Sequence, residues 1–394
     1  MTDPRGDMDP LRQIRTLIAE PRNPHIDAWK ESGKPVVGYF CAYTPPELLL
    51  AAGALPLRLR GTGSEDSALG DTYLSGRLCT FVRHVMSLVL DGRYDFLDGE
   101  VCLNTCDHVR RAADVFVKKS SIPFHGFLSV PRTPRDELLP YYKEELRKLW
   151  TQLCAHLGTP PSDDALRAAI AAYESVRDRL RKLESLRTGE GVRLRGAESL
   201  AVHVAAQSLP PDIFVPTADA LLDALRARPP LPSPRARLVL IGAELDDPDY
   251  VDVIEATGAL VVADELCFGS RWSVEPIEVD GGDPLDALAR AYFFRRSCAR
   301  MIGDFPNRFR TLERRVRESC ADGVVFQRLL FCDPWGADQH NLMLRSRSGF
   351  STPMLYLTRE YGVVPKGQLR TRIQAFLERI ETPNRARSHE RAPA

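Results

Sequence analysis

Three cysteines stand where a parallel-sheet protein gathers its reactive groups. Cys106 lies in Asn104-Thr105-Cys106-Asp107-His108, directly after an apolar, strand-like run that ends at Leu103. Cys332 lies in Phe331-Cys332-Asp333-Pro334, after Val324-Val325-Phe326. Cys79 precedes the helical run from Phe81 to Leu90, and a helix N-terminus favours the thiolate over the thiol. Ligands of open parallel sheets bind beyond the carboxyl ends of the strands. Three thiolates brought there from two strand ends and a helix start can hold a soft metal centre, and iron–sulfur clusters favour thiolates. Three protein ligands would leave one iron open. The same residues can equally be small buried hydrophobes, the common state of a free cysteine, because no compact Cys-x-x-Cys pair occurs. Spacing alone leaves both readings standing.

The surrounding pattern alternates strand and helix. Residues from about Asp9 to Ser32 read as an N-terminal helix, and Pro35 to Phe40 as a strand. Thr44-Pro45-Pro46-Glu47 offers a cap, early prolines and an acidic first turn, and Gly53 stops the helix it opens. Leu55–Leu59 is a second strand, Cys79–Leu90 a helix, Phe96–Leu103 a third strand and Asp107–Lys118 the next helix. Residues 136–206 change to charged, helical periodicity, at Glu144–Gly158 and Asp164–Leu186. Pro229-Pro230-Leu231-Pro232-Ser233-Pro234 is the strongest linker signal. Strands at Arg237–Ile241, Leu260–Ala263, Gly323–Leu330 and Met354–Leu357 follow, with helices at Asp249–Thr257, Pro284–Arg295, Phe309–Cys320 and Gly367–Ile380.

This predicts an α/β protein: two flavodoxin- or Rossmann-like parallel-sheet domains with a helical segment between them. The expected divisions are an N-terminal helix at 1–34, a first α/β domain at 35–135, the helical segment at 136–228, a second α/β domain at 235–381 and a loose polar tail at 382–394. Cys106 and Cys332 then occupy corresponding places in the two halves.

Composition narrows the function. The 394 residues are 44% hydrophobic and 27% charged, the profile of a globular chain. Lys plus Arg and Asp plus Glu are both 53, so the basic excess of a nucleic-acid binder is missing. The longest apolar run, Leu48–Leu57, is interrupted by Gly53 and Pro56 and falls well short of the roughly 20 residues that span a bilayer. Met1–Arg15 carries Asp, Arg and Pro in place of a secretory signal. A cytoplasmic protein without membrane or nucleic-acid partners is expected. Nine cysteines, an odd number in a long chain, argue against a disulfide framework. Gly61-Thr62-Gly63-Ser64-Glu65-Asp66 follows a strand but lacks the third glycine of the dinucleotide fingerprint, and no Gly-Lys-Ser/Thr phosphate loop occurs.

Several segments together resemble the 2-hydroxyacyl-CoA dehydratase and benzoyl-CoA reductase superfamily, and within it the D-component-like subunits of 2-hydroxyglutaryl-CoA dehydratase. They are Gly38-Tyr39-Phe40-Cys41-Ala42-Tyr43-Thr44-Pro45-Pro46-Glu47-Leu48, Leu78-Cys79-Thr80-Phe81-Val82-Arg83, Tyr94-Asp95-Phe96-Leu97-Asp98-Gly99 and Asn104-Thr105-Cys106-Asp107-His108-Val109-Arg110-Arg111. In the second half they are Asp264-Glu265-Leu266-Cys267-Phe268-Gly269-Ser270-Arg271, Ala321-Asp322-Gly323-Val324-Val325-Phe326, Phe331-Cys332-Asp333-Pro334 and Gly367-Gln368-Leu369-Arg370-Thr371-Arg372.

The resemblance implies one 4Fe–4S cluster per chain, held by Cys79, Cys106 and Cys332 with the fourth iron site open. It implies a related second subunit, in a heterodimer or homodimer, and a separate ATP-hydrolysing iron–sulfur activator that delivers a low-potential electron. The implied substrate is a 2-hydroxyacyl-CoA, whose thioester carbonyl takes up one electron; the resulting ketyl radical anion expels the α-hydroxyl and returns the electron after elimination. Glu47 is then a candidate proton carrier and His108 a candidate partner of the cluster, with Ser270 and Arg271 candidates for contact with substrate or a CoA phosphate. Each has a plainer role available: a first-turn acid at a helix dipole for Glu47, an ion pair on a surface loop for Ser270 and Arg271. The alternatives are a benzoyl-CoA reductase-type subunit, a double-cubane reductase recruiting Cys41, Cys102, Cys267 or Cys298, and a scaffold whose cluster is structural or lost. A zinc module is the poorest fit, because the thiolates are far apart in sequence and no histidine completes a known spacing.

Overall fold

The computed structural model describes residues 9–389 except 190, 274, 280, 296, 363 and 364. Residues 1–8 of the expected N-terminal segment and 390–394 of the expected tail lie outside the described residues. The first half runs α1 (Pro10–Leu17), α2 (Pro24–Glu31), β1 (Val36–Tyr39), α3 (Pro46–Ala51), β2 (Leu55–Arg58), α4 (Ala68–Asp71), α5 (Thr80–Leu90), β3 (Gly99–Leu103), α6 (Asp107–Lys119) and β4 (His125–Leu128). Four helices follow: α7 (Leu139–Leu157), α8 (Asp163–Glu184), α9 (Gly196–Ala206) and α10 (Pro211–Ala227). The second half runs β5 (Ala236–Gly242), α11 (Pro248–Glu255), β6 (Ala259–Glu265), α12 (Pro284–Phe293), α13 (Phe305–Glu318), β7 (Gly323–Leu329), α14 (Asp333–Arg347), β8 (Met354–Arg359) and α15 (Lys366–His389).

The strands form two four-stranded, all-parallel sheets of the same order, β2-β1-β3-β4 and β6-β5-β7-β8. In each the chain winds outward from the first strand, then returns to the first strand's other side, so the order reverses between β1 and β3 and again between β5 and β7. Both sheets are covered on both faces, as parallel sheets require. Val36, Leu55 and Leu57 face a core that continues through α9 and α10 to Leu238, Val324 and Phe326 of the second sheet. Val37, Tyr39, Val101 and Leu103 face a second core built with α7 and α12. The alternation along β1 is the period-2 pattern of a strand.

The α/β reading therefore holds, with local corrections. The single helix expected over 9–32 is two helices. Pro21 lies between them, and Asn23 Oδ1 accepts from the His25 and Ile26 amides at 3.0 and 3.2 Å to start α2 afresh. The third strand begins at Gly99, not Phe96. Leu97 N bonds Tyr94 O in a turn, and Asp98 Oδ2 accepts from the Val36 amide at 2.8 Å. Residues 382–389 of the expected tail continue α15 to His389. β4, whose His125-Gly126 start reads poorly as strand, and α14, whose Asp-Pro-Trp-Gly opening reads as loop, escape the sequence patterns altogether.

Candidate metal centre

Cys106 follows β3 and Cys332 follows β7 at the same offset, from Leu103 and from Leu329. Both positions flank the point where the strand order reverses, the place at which open parallel sheets bind ligands. Cys79 is the N-cap residue of α5, Cys106 of α6 and Cys332 of α14. All three line one cavity between the sheets, of about 780 Å³ including its mouth. Phe40, Phe81, Val82, Val109, Pro334 and Trp335 supply its apolar wall. The turn into Cys332 places Phe331 at φ 64, a left-handed conformation that a bulky side chain adopts only when its surroundings impose it.

The sequence suggested that a helix start would favour the thiolate at Cys79. Burial outweighs it. Burial pushes the Cys79 and Cys332 thiols up and Cys106 to about 12, while first-turn amides (Phe81 and Val82, Val109 and His108, Trp335) pull in the opposite direction. Burial thus favours the protonated form of all three at neutral pH, and a metal held by them would have to displace their protons. His108 ties the set together. Its Nδ1 accepts from the Cys79 amide at 3.1 Å, which leaves the neutral ring's proton on Nε2, 3.6 Å from Asp333 Oδ2 beside Cys332. Burial lowers the His108 pKa, favouring that neutral form.

Four arginines also line the cavity: Arg58, Arg271, Arg295 and Arg300. Arg58 donates to the Cys267 carbonyl, to Cys267 Sγ at 3.1 Å and to Gln207 Oε1 at 2.7 Å, and its guanidinium lies 3.7 Å from the Phe268 ring centroid. Arg295 donates to the Ala42, Arg271 and Trp272 carbonyls, and Arg300 to those of Val130, Asn104 and Pro131. Arg271 stacks over Trp335, and among the described residues its buried Nη2 has no hydrogen-bond partner. Sequence reasoning singles out only Arg271 among these. Glu244, Arg295 and Arg300 carry no motif, although the strand-end rule applied to β5 leads directly to Glu244. Cys41, Cys267 and Cys298 line the cavity too, whereas Cys102 and Cys154 are buried elsewhere and Cys320 is exposed.

Two expected site residues stand apart. Glu47 is fully buried but does not line the cavity; Oε1 accepts from Arg177 Nη1 and Oε2 from the Tyr292 hydroxyl at 2.9 Å. Ser270 braces a loop, its amide donating to Asp264 Oδ1 at 2.8 Å and its hydroxyl to the Asp264 carbonyl at 2.6 Å. Neither is among the cavity-lining residues with Cys79, Cys106, Cys332, His108 and Arg271.

Among the described residues, no three His, Cys, Asp or Glu side chains close on a single point as one metal ion requires. A polynuclear centre asks for something different, each thiolate on its own metal atom. Three thiols at three helix starts around one cavity suit that demand. No described helix is long and apolar enough to cross a membrane.

Residues 41–380 match the family model described as 2-hydroxyglutaryl-CoA dehydratase, D-component, and the chain belongs to that family. It is 24% identical over 374 residues to the (R)-phenyllactyl-CoA dehydratase beta subunit of Clostridium sporogenes, covering 94% of this chain and 98% of the relative. The beta subunit of lactoyl-CoA dehydratase from Anaerotignum propionicum is 25% identical over 371 residues, with the same coverage. A benzoyl-CoA reductase subunit of Thauera aromatica is 27% identical over 317 residues, covering 78% of this chain and 81% of the relative.

Proposed function

We propose that this member of the 2-hydroxyglutaryl-CoA dehydratase D-component family is the iron–sulfur subunit of a cytoplasmic 2-hydroxyacyl-CoA dehydratase. In this reading Cys79, Cys106 and Cys332 hold one 4Fe–4S cluster. The carrying observation is their convergence, as N-cap residues of three helices from both halves of the chain, on one buried cavity. A bound cluster would supply one-electron transfer and, at the iron without a thiolate, a position for an oxygen or other donor.

The chain's own residues have definite tasks. Phe40, Phe81, Val82 and Trp335 keep water from the centre. Arg58, Arg271, Arg295 and Arg300 hold positive charge at its wall, offsetting the thiolates. His108 fixes the Cys79 backbone and the approach of Asp333. A chain without a Gly-Lys-Ser/Thr loop fits ATP hydrolysis by a separate iron–sulfur activator, and the names of the relatives, each one subunit of a larger enzyme, support a related second subunit. The Thauera relative supports a second reading, a benzoyl-CoA reductase-type subunit acting on an aromatic acyl-CoA.

Anaerobic co-production with a sister subunit and an activator ATPase tests this. Water should be eliminated from a 2-hydroxyacyl-CoA only in the presence of ATP and both partners. Ring reduction of an aromatic acyl-CoA would select the second reading. Sustained turnover by this chain alone with a mild reductant, or a colourless protein that iron and sulfide cannot reconstitute, would refute the proposal.

A further inference from the structure

The loop Gly61-Thr62-Gly63-Ser64, which lacks the third glycine of a dinucleotide fingerprint, has another use. The Gly61 amide donates to the Tyr361 hydroxyl oxygen at 3.0 Å, and a Cβ at Gly61 would stand 2.5 Å from Tyr361 Cε1. Glycine is what lets the ring lie against this backbone. Tyr361 comes from the other half of the chain, two residues beyond the end of β8 at Arg359, and it is buried. Its hydroxyl donates to Asp246 Oδ2 at 2.7 Å, the oxygen that also accepts from Thr62 Oγ1 at 3.1 Å. Burial first, and then the Asp246 charge, raise the Tyr361 pKa and keep the phenol proton on this bond.

The same residue reaches the start of α5. The Tyr361 amide donates to Thr80 Oγ1 at 2.9 Å, and its ring meets Phe81 edge-on with 5.3 Å between centroids. Thr80 and Phe81 are the first two residues of α5, directly after the N-cap Cys79. One turn on, the ring packs against His84 at 5.4 Å. Phe81 lines the cysteine cavity and meets Phe268, whose ring carries the Arg58 guanidinium at 3.7 Å. His108 holds the Cys79 amide from α6, within the first half of the chain. The next residue, Thr80, is held from the second half.

Resting on the cluster reading above, we infer that Tyr361 is a positioning residue for the Cys79 corner of the centre. Through its amide and its ring the second sheet sets where α5 begins, and with it where Cys79 stands. The two bonds of the hydroxyl, to Gly61 and Asp246, fix the ring in that place. A cysteine held only from its own half would shift whenever the halves move. One clamped from both keeps a single geometry relative to Cys332, the task of residues that orient ligands from behind.

The full-length chain, purified without air as wild type, Tyr361→Phe, Tyr361→Leu and Thr159→Val, tests this. Thr159→Val is the control, removing a 2.9 Å hydrogen bond to the Ala52 carbonyl from a threonine outside the cavity-lining set. The first readout needs no metal: iodoacetamide labelling of the cluster-free protein, with the rates at Cys79, Cys106 and Cys154 resolved by mass spectrometry. The second is the EPR spectrum of the reduced, cluster-loaded protein and the rate at which a chelator strips its iron. Tyr361→Leu should label Cys79 about tenfold faster or more, with Cys106 and Cys154 within about twofold of wild type, because the ring contact and both hydroxyl bonds are lost together. It should also shift the EPR spectrum and lose iron faster. Tyr361→Phe keeps the ring and the amide and should fall between, at about two- to tenfold, the worth of one hydrogen bond. Thr159→Val should match wild type in every readout. An unchanged Cys79 rate, an equal rise at Cys106 or Cys154, an unshifted EPR spectrum in Tyr361→Leu, or a Thr159→Val that behaves as Tyr361→Leu does overturns the assignment. If Tyr361→Leu does not fold, Tyr361→Phe decides by the same comparison. A wild type that takes up no cluster defeats the proposed function, and the labelling rates then still decide this inference.

Discussion

Glu47 stands in a sequence motif that suggests proton transfer, and its surroundings predict a role in stability instead. Both carboxylate oxygens are engaged, one by Arg177 Nη1 and the other by the Tyr292 hydroxyl at 2.9 Å, and Glu47 and Arg177 side chains are 0% and 1% exposed. Arg177 also bonds Glu174 at 3.0 Å. The pair joins α3 to α8 and α12, between the first sheet and its outer core. Attraction at contact is about 4 kcal/mol at an effective dielectric near 20, and it offsets the desolvation of two buried charges. Arg177→Met leaves the Glu47 charge buried with only a phenol, and should destabilise by about 3–5 kcal/mol. Glu47→Gln keeps the tyrosine bond and removes the charge-assisted one, a loss of about 1.5–3 kcal/mol. Glu47→Leu with Arg177→Met removes both charges and should recover most of the stability. Urea unfolding of the cluster-free protein, followed by circular dichroism, measures these differences without reference to activity. If Arg177→Met is as stable as wild type, or if Glu47→Gln retains full stability while turnover stops, the structural assignment is wrong and the proton-carrier role returns.

Two further predictions follow from other parts of the structure. Single replacement of Cys79, Cys106 or Cys332 by Ala should lower bound iron sharply, whereas Cys154→Ala and Cys320→Ala should leave iron content near wild type; equal iron in all five variants would refute the ligand set. Burial alone would raise the Asp264 and Glu184 carboxyls, but the Arg187 guanidinium, bonded to each at 2.8 Å, and His203 hold both below the usual range. Stability drawn from them is present above the unfolded-state pKa of about 4 and is lost as pH falls through the lower folded values. The urea midpoint should therefore fall between about pH 5 and about pH 3 in wild type and be flatter over that range in Arg187→Met; parallel profiles would exclude this network as the cause.

What was legible in the sequence was legible for local reasons. The strands expected to end at Phe40, Leu103 and Leu330 are short and mainly apolar, and Thr44-Pro45, Asn104-Thr105 and Asp333-Pro334 break the pattern beyond them, so strand ends and the cysteines near them could be located from period and turn chemistry. Which sheet neighbours those strands acquire is a long-range fact. It is the order β2-β1-β3-β4, repeated as β6-β5-β7-β8, that makes Cys106 and Cys332 equivalent and brings Glu244 to the same cavity. Arg58 was hidden because it sits at the end of a buried strand, where its charge is answered by the Cys267 carbonyl more than two hundred residues away in the chain. The partners of Glu47 were hidden for the opposite reason. A first-turn acid beside a cysteine motif looks chemical, and the arginine that claims it comes from a helix whose placement no local pattern gives.

The cavity's charge arrangement explains why these distant residues belong together. Among the described residues, Arg58 bonds the Cys267 carbonyl, Cys267 Sγ and Gln207, and Arg300 bonds the Val130, Asn104 and Pro131 carbonyls and Asn104 Oδ1, so neutral groups hold these two guanidiniums at the cavity wall. Charge fixed in this way needs no reorganisation when negative charge enters. Thiols kept protonated by burial and ringed by helix amides gain most when a cationic core replaces their protons. His108 adds the mechanical link. It begins α6 beside Cys106, receives the Cys79 amide and faces Asp333 at the start of α14, so it spans both sheets' contributions. The donor set therefore exists only once the two sheets have docked, and loading the centre should in turn hold them together, as binding to the folded form alone must.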